Sequence, residues 1–402
     1  MLDDWGSRFT SLGASVPENA LRTQIRTTIA QLAMFDAVNA VLDGPYCPFA
    51  SKPPSPYGAS PEAAAIRAAY IVALNEFPTK TATIESAYNA SIAAVGARPP
   101  SIADGIVVGE AAANAVLAAR IGDHRNDPDL EGYTPGSGPG VWMPTPPAFA
   151  NPQTPFLRFV TPFGYDDPAR FRSQAPPALH SRKYTADYNE SIHVGRATDT
   201  SRTAEQSATA LFWSPSASAL WSANIRSLAS SMDLLTAARF EAIGIAAVTN
   251  SLIASWDAKY TFMFWRPVTA IQAGDTDGNG KTDPDPAWTP FITTPSHPEY
   301  PAAHTAVGAG ALAFYTVWFG TDEFPLEFKG NGGAVRRYAS VAEIHSEEGN
   351  ARVWGGMHWR HSTEVGTRLG RRVGKYTATH LLERRHKRDR DEDDQVSSIS
   401  MR

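Results

Sequence analysis

Three short stretches in the last third of the chain hold most of the side chains that could do chemistry. The first runs from Trp256 through Lys259 to Arg266 and Pro267. Lys259 and Arg266 are seven residues apart. That is about two helical turns, so a continuous helix puts both cations on one face. Pro267 disfavours helix at the residue before it, which places Arg266 at or just past a helix end. Trp256, Tyr260, Phe262, Phe264 and Trp265 crowd the same stretch. Cations in such apolar company are costly to bury unless an anion meets them.

The second stretch is His297-Pro298-Glu299-Tyr300-Pro301-Ala302-Ala303-His304. Pro301 opens a run of small residues that reads as helix and puts His304 in its first turn. Free backbone N–H groups and the helix dipole make that turn an anion site. The third stretch places Arg352 six residues before His358 across the Gly355-Gly356 pair, whose glycines permit a close backbone approach. A further helix start follows His358. One lysine, two arginines, two histidines and two helix N-termini suit a compact tetrahedral oxyanion of two or three negative charges. Arginine forks grip such oxygens bidentately, and lysine adds a point charge. One histidine can serve as acid/base. The other can be a nucleophile or ligand through its neutral lone pair.

The ordered triple Lys-x6-Arg-Pro, Pro-x2-His and Arg-x5-His resembles the superfamily of vanadium-dependent haloperoxidases and type 2 phosphatidic acid phosphatases. The haloperoxidases are the closer match, over residues 256–267, 297–305 and 352–366. The resemblance implies a helical protein built around two four-helix bundles. It implies orthovanadate bound covalently by His358, with Lys259, Arg266, Arg352 and the Ala303 N–H on its oxygens. By the same likeness His304 is the acid/base, Lys259 polarises bound peroxide, and Trp256 and His297 line a halide pocket. His297 stands where bromide-oxidising members tend to carry histidine, which favours bromide. Implied partners are hydrogen peroxide, halide and a small organic substrate. Two positions depart from the pattern. Ala302 replaces a serine, which removes one hydroxyl from the oxyanion. Ser362 replaces an acid, which removes an anchor for the His358 imidazole. The alternative on the same scaffold is a phosphatase or diphosphate-cleaving enzyme with His358 as nucleophile and His304 protonating the leaving group. A non-enzymatic helical scaffold is the third reading, and retention of every cation and both histidines argues against it.

The elements that must position these residues read as helix. Apolar positions recur with 3.6-type spacing over 20–42, and the texture repeats over 61–76, 81–95 and 101–120. Helices are also expected over 203–213, 216–230, 232–258, 303–318, 333–347 and 360–383, with no substantial sheet. Residues 123–180 are rich in proline and glycine and read as a long irregular segment, of a length that is usually functional. The expected divisions are a helical region 1–190, an oxyanion-binding bundle 191–383, and a charged, solvated tail 384–402.

The chain has 402 residues, 43% hydrophobic and 19% charged, with a formal net charge of −5. That composition supports a packed core and argues against a nucleic-acid binder. No apolar run reads as a membrane span. The start, Met1 to Trp5, lacks an export-signal pattern, so a cytoplasmic location is the expectation. The single cysteine, Cys47, allows no internal disulfide. Asp275, Asp277 and Asn279, with Gly280 following, resemble the start of a calcium loop, but Pro286 stands where the bidentate glutamate belongs. Calcium and a plain acidic turn are both open readings there. Ala-rich helix faces leave homodimerisation open.

Overall fold

A computed structural model describes residues 2–17, 19–330 and 333–385. The expected tail, 384–402, lies almost wholly outside the described residues. Thirteen α-helices and one two-stranded hairpin are present among the described residues. The chain divides into two compact units. Among the described residues, one comprises those up to 121, 226–243 and 379–385, and the other residues 122–225 and 244–378.

The first unit is built on α2 (Ala20–Val41), every residue of which from Leu21 to Ala40 is buried. Helices α1 (Leu2–Ala14), α3 (Pro61–Glu76) and α5 (Pro99–Ala119) surround it, and α4 (Thr81–Ala93) packs on α3. Ser60 caps α3 by accepting from the Ala63 N–H, and Pro61 takes the first turn. A Cβ at Gly105 or Gly109 would lie 2.3 or 2.2 Å from the Ser60 or Ala64 carbonyl oxygen. Glycine there lets α5 touch the backbone of α3. By length and composition α5 and α9 (Leu234–Phe262) could each cross a membrane, although the sequence showed no such run. In the structure 94% of the α9 window is buried within the protein.

The second unit carries the chemistry. Residues 122–181 hold no α-helix, only two short 3₁₀ turns, as the proline content led one to expect. This segment straps the outer face of α9. The Gln153 carbonyl accepts from Trp256 Nε1 and the Tyr260 hydroxyl, and Asn250 bonds the Phe163 backbone on both sides. Arg172 forks onto Asp257 at 2.6 and 2.5 Å. Helix α6 (Arg182–Val194) follows, then α7 (Ala204–Phe212) and α8 (Ala217–Ala229). Beyond α9 come the short α10 (Pro267–Gln272), α11 (Ala303–Phe319), the hairpin β1 (Glu323–Lys329) and β2 (Val335–Ser340), α12 (Val341–Trp354) and α13 (Arg360–His380).

Three sequence expectations change here. Residues 335–340 pair with β1 rather than forming helix, because Phe324, Leu326 and Phe328 alternate toward a buried face. Ser340 then caps α12, which starts at 341 and runs on to carry Arg352. Helices α1, α6 and α10 appear where none was read.

Helices α11 and α13 meet backbone to backbone. A Cβ at Gly366, Gly370 or Gly374 would lie 2.4, 1.9 or 2.1 Å from the carbonyl oxygen of Ala302, Ala306 or Gly310. Steps of four residues on both helices keep this glycine row on one face. The contact fixes the start of α11, bearing His304, against the start of α13, which follows His358.

Candidate active site

The structure brings all three stretches together. Lys259 and Arg266 are fully buried, and Arg352 and His358 are 1% exposed. His297, Trp256 and Ala303 are buried beside them, and His304 alone of the set is partly exposed. Lys259 points from the last turn of α9, and Arg266 is the N-cap of α10, as Pro267 dictates. The Lys259 ammonium donates to the carbonyls of Pro298 and Glu299 at 2.8 and 2.9 Å. The Arg266 guanidinium donates to the carbonyls of His297 and Met357, and to ring nitrogens of His297 (3.0 Å) and His358 (3.2 Å). Arg352 donates to the Trp213 carbonyl and the Met357 sulfur, while its Nε is buried without a partner.

A residue to which the sequence reading gave no role organises the imidazole. The Glu299 carboxylate is fully buried and lies 2.8 Å from His358 Nδ1. It also accepts from the Trp359 N–H at 3.1 Å and from the Ser362 hydroxyl at 2.6 Å. The expected loss of an anchor at position 362 is therefore corrected. The anchor is Glu299, and Ser362 steadies it. Arg266 can only donate, so the 3.2 Å contact assigns a lone pair to His358 Nε2 and the proton to Nδ1. That tautomer keeps the proton off Nε2, whose lone pair can bind an electrophilic centre in place of the Arg266 contact.

The helix starts also differ from expectation. At α13 the N–H groups of Trp359 and His361 already donate to the carboxylates of Glu299 and Asp187, so that terminus is not free for a ligand. At α11 the N-cap is Ala302, with no side-chain cap, and the first turn keeps its anion-binding character.

The electrostatics suit an anion. Burial, reinforced by repulsion from Arg266 and Arg352, pushes Lys259 well below its ordinary value. Burial brings Arg266 to about 10 and Arg352 to about 9. Burial and the neighbouring cations hold His297, His304 and His358 far down, so all three are neutral at pH 7. Burial lifts Glu299 to about 7 and Glu348, one turn before Arg352, to about 8. The protein's own carboxylates thus supply little negative charge against three cations, and the orphaned Arg352 Nε fits an oxyanion.

Trp256 and His297 face each other with ring centroids 5.0 Å apart, and the Lys259 ammonium lies 6.0 Å from the indole. The His304 Nε2 lies 3.0 Å from the Pro215 carbonyl oxygen. The calcium reading finds no support. Asp277 spends its oxygens on the Asn279 N–H and the Thr282 hydroxyl, and the Asn279 amide donates to Leu179 and Thr185. Among the described residues no cluster of three His, Cys, Asp or Glu could hold a metal ion.

Residues 239–387 match the family described as the VCPO second helical-bundle domain. Vanadium chloroperoxidase of Curvularia inaequalis is 26% identical over 329 residues, covering 58% of this chain. The chain spans about half, 53%, of the length of that relative. A solved bacterial vanadium-dependent iodoperoxidase superposes with a TM-score of 0.81 at 23% identity, covering 96% of this chain and 97% of that one. A bacterial vanadium-dependent chloroperoxidase in its holo form gives 0.68 at 18% identity, covering 88% and 90%. Residues 239–387 are thus similar to the VCPO second helical-bundle domain, and the two solved haloperoxidases share the fold of this chain.

Proposed function

We propose that this protein is a vanadium-dependent haloperoxidase that uses hydrogen peroxide to oxidise halide, with bromide favoured. The observation that carries the proposal is the His358 imidazole, held by Glu299 as the Nδ1–H tautomer beside three buried cations. Bound vanadate supplies a Lewis-acid centre that activates peroxide toward the halide. The chain's own residues do the rest. His358 Nε2 holds the cofactor, and Arg266, Arg352, Lys259 and the Ala303 N–H balance its oxygens. An oxyanion beside Lys259 favours its ammonium form against burial, so that Lys259 would place positive charge where negative charge develops. His304, neutral and partly exposed, accepts a proton from incoming peroxide and returns it later. Trp256 and His297 form the halide side of the pocket.

The test is bromide oxidation by purified protein with hydrogen peroxide, with and without orthovanadate, and with phosphate as competitor. Turnover that depends on vanadate and is inhibited by phosphate is expected. Absence of turnover at saturating vanadate, in folded protein, sinks the reading.

One observation favours a second reading. Glu299 would orient His358 equally well as a nucleophile on phosphorus, with His304 protonating the leaving group. Hydrolysis of a phenyl phosphate or a diphosphate, abolished in a His358→Ala variant, is the outcome that would select it.

A further inference from the structure

Outside the oxyanion site, the second unit has a cleft of about 350 Å³ between α13 and the 171–175 part of the strap. Tyr300 and His361 lie nearly parallel along it, with centroids 6.0 Å apart and planes 11° from each other. Phe171 forms the opposite wall, held edge-on by Tyr165 and tilted against Tyr376. Arg368 and Arg372, one helical turn apart on α13, line the same space.

The charge is unusual in its surroundings. Several nearby cations are matched, Arg172 with Asp257, Lys183 with Asp187 and Glu364, and Arg360 with Glu190, while Arg170 lies over the Tyr376 ring. Neither Arg368 nor Arg372 has a carboxylate partner among the described residues. The Arg372 guanidinium lies 5.6 Å from the Phe171 ring centroid. The Ser173 hydroxyl also lines the cleft, beside the Tyr300 hydroxyl. Two guanidinium forks without a carboxylate and two aromatic surfaces make complementary demands. An inorganic anion would leave the rings uncovered, and a neutral aromatic would leave the charges unmatched.

We propose that this cleft is a second ligand site that takes an aromatic carboxylate, its ring between Phe171 and the Tyr300–His361 pair and its carboxylate on Arg368 and Arg372. The site does not depend on the haloperoxidase reading.

Titration calorimetry with 2-naphthoate on the full chain tests it. Arg368→Gln and Arg372→Gln should each weaken binding about tenfold to a hundredfold, the loss expected of one charge-assisted bond. Arg371→Gln, which removes the same charge from a residue outside the cleft, should leave binding unchanged. The neutral isostere 2-naphthalenemethanol should bind at least tenfold more weakly, and equimolar inorganic phosphate should not displace naphthoate. Equal losses in Arg371→Gln would reduce the effect to general surface charge. Displacement by phosphate, equal binding of the alcohol, or no naphthoate binding by folded parent protein would each overturn the proposal. The three arginines are exposed, and unchanged melting temperatures separate lost binding from lost structure.

Discussion

Replacing Glu299 by glutamine isolates the charge that holds His358. Glutamine keeps the shape. Its carbonyl can still accept from His358 Nδ1 and the Trp359 N–H, and its amide can turn to the Ser362 hydroxyl. What disappears is the charge on a carboxylate that accepts at 2.8, 3.1 and 2.6 Å. A hydrogen bond to a charged group contributes about 1.5–3 kcal/mol against about 0.5–1.5 for a neutral one. The difference of about 1–1.5 kcal/mol predicts roughly tenfold weaker vanadate binding. Glu299→Ala removes the anchor altogether and should cost up to about a hundredfold. Calorimetry with orthovanadate reads both without any need for turnover. The pH dependence adds a second check. Burial raises Glu299 to about 7, so below that pH the parent carboxyl is itself largely neutral. The affinity ratio of parent to Glu299→Gln should therefore widen as pH rises through 7 and narrow below it. By linkage, vanadate bound through the anchored imidazole should lower that midpoint. Vanadate's own protonation cancels in the ratio. If Glu299→Gln binds vanadate like the parent at pH 8.5, or the ratio stays flat from pH 5.5 to 8.5, the reasoning is refuted.

Further outcomes are expected. His358→Ala should abolish stoichiometric vanadate binding, measured by calorimetry, and parent-like bromide turnover in that variant would contradict the ligand assignment. Ala302→Ser should add a cap to α11, worth about 1 kcal/mol, and tighten vanadate; a rise in melting temperature with unchanged affinity would mean that the hydroxyl serves only the helix. Gly370→Ala puts a Cβ 1.9 Å from the Ala306 oxygen and should destabilise by about 1–3 kcal/mol in denaturant titration, despite alanine's better helix propensity. Glu348 is raised to about 8 from a model-peptide value of 4.5, so the folded state holds a proton that the unfolded chain has released between those values. Its contribution to stability falls as pH rises through that window. Glu348→Gln should consequently gain in melting temperature over the parent from pH 5 to 8 and level off above, and a pH-independent difference would mean that Glu348 is not the group responsible.

The cationic half of the site was legible because its spacing is local. Lys259 in the last turn of α9 and Arg266 just before Pro267 are set by local sequence, although the helix stops at Phe262 rather than running on to carry both. The glutamate was not legible in that way. It stood in the quoted stretch between His297 and Pro301, yet its partner His358 is 59 residues away, and only packing joins them. The absence of an acid at 362 was the available signal, since an imidazole ligand lacking one anchor invites a search for another. Long apolar helices such as 20–41 and 303–319 declared themselves by periodicity. Helix α6 did not, because much of its sequence is polar and its buried face is only Tyr184, Asp187, Tyr188 and Ser191. The hairpin was obscured by Pro325 within its first strand and by charges on its outer face.

The anchoring of His358 also bears on how such a site can be recombined. The carboxylate rides on the loop before α11, whereas the hydroxyl that steadies it and the imidazole it orients belong to the segment that becomes α13. These two segments are therefore one unit of exchange. A chimera that imports the 358–362 stretch from a relative with an acid at 362 would place two carboxyls against each other around a single imidazole. One that imports only a 297–305 loop lacking the glutamate would leave the imidazole and Ser362 with nothing to hold. Grafts that move both stretches together should keep vanadate binding, and grafts of either alone should lose it.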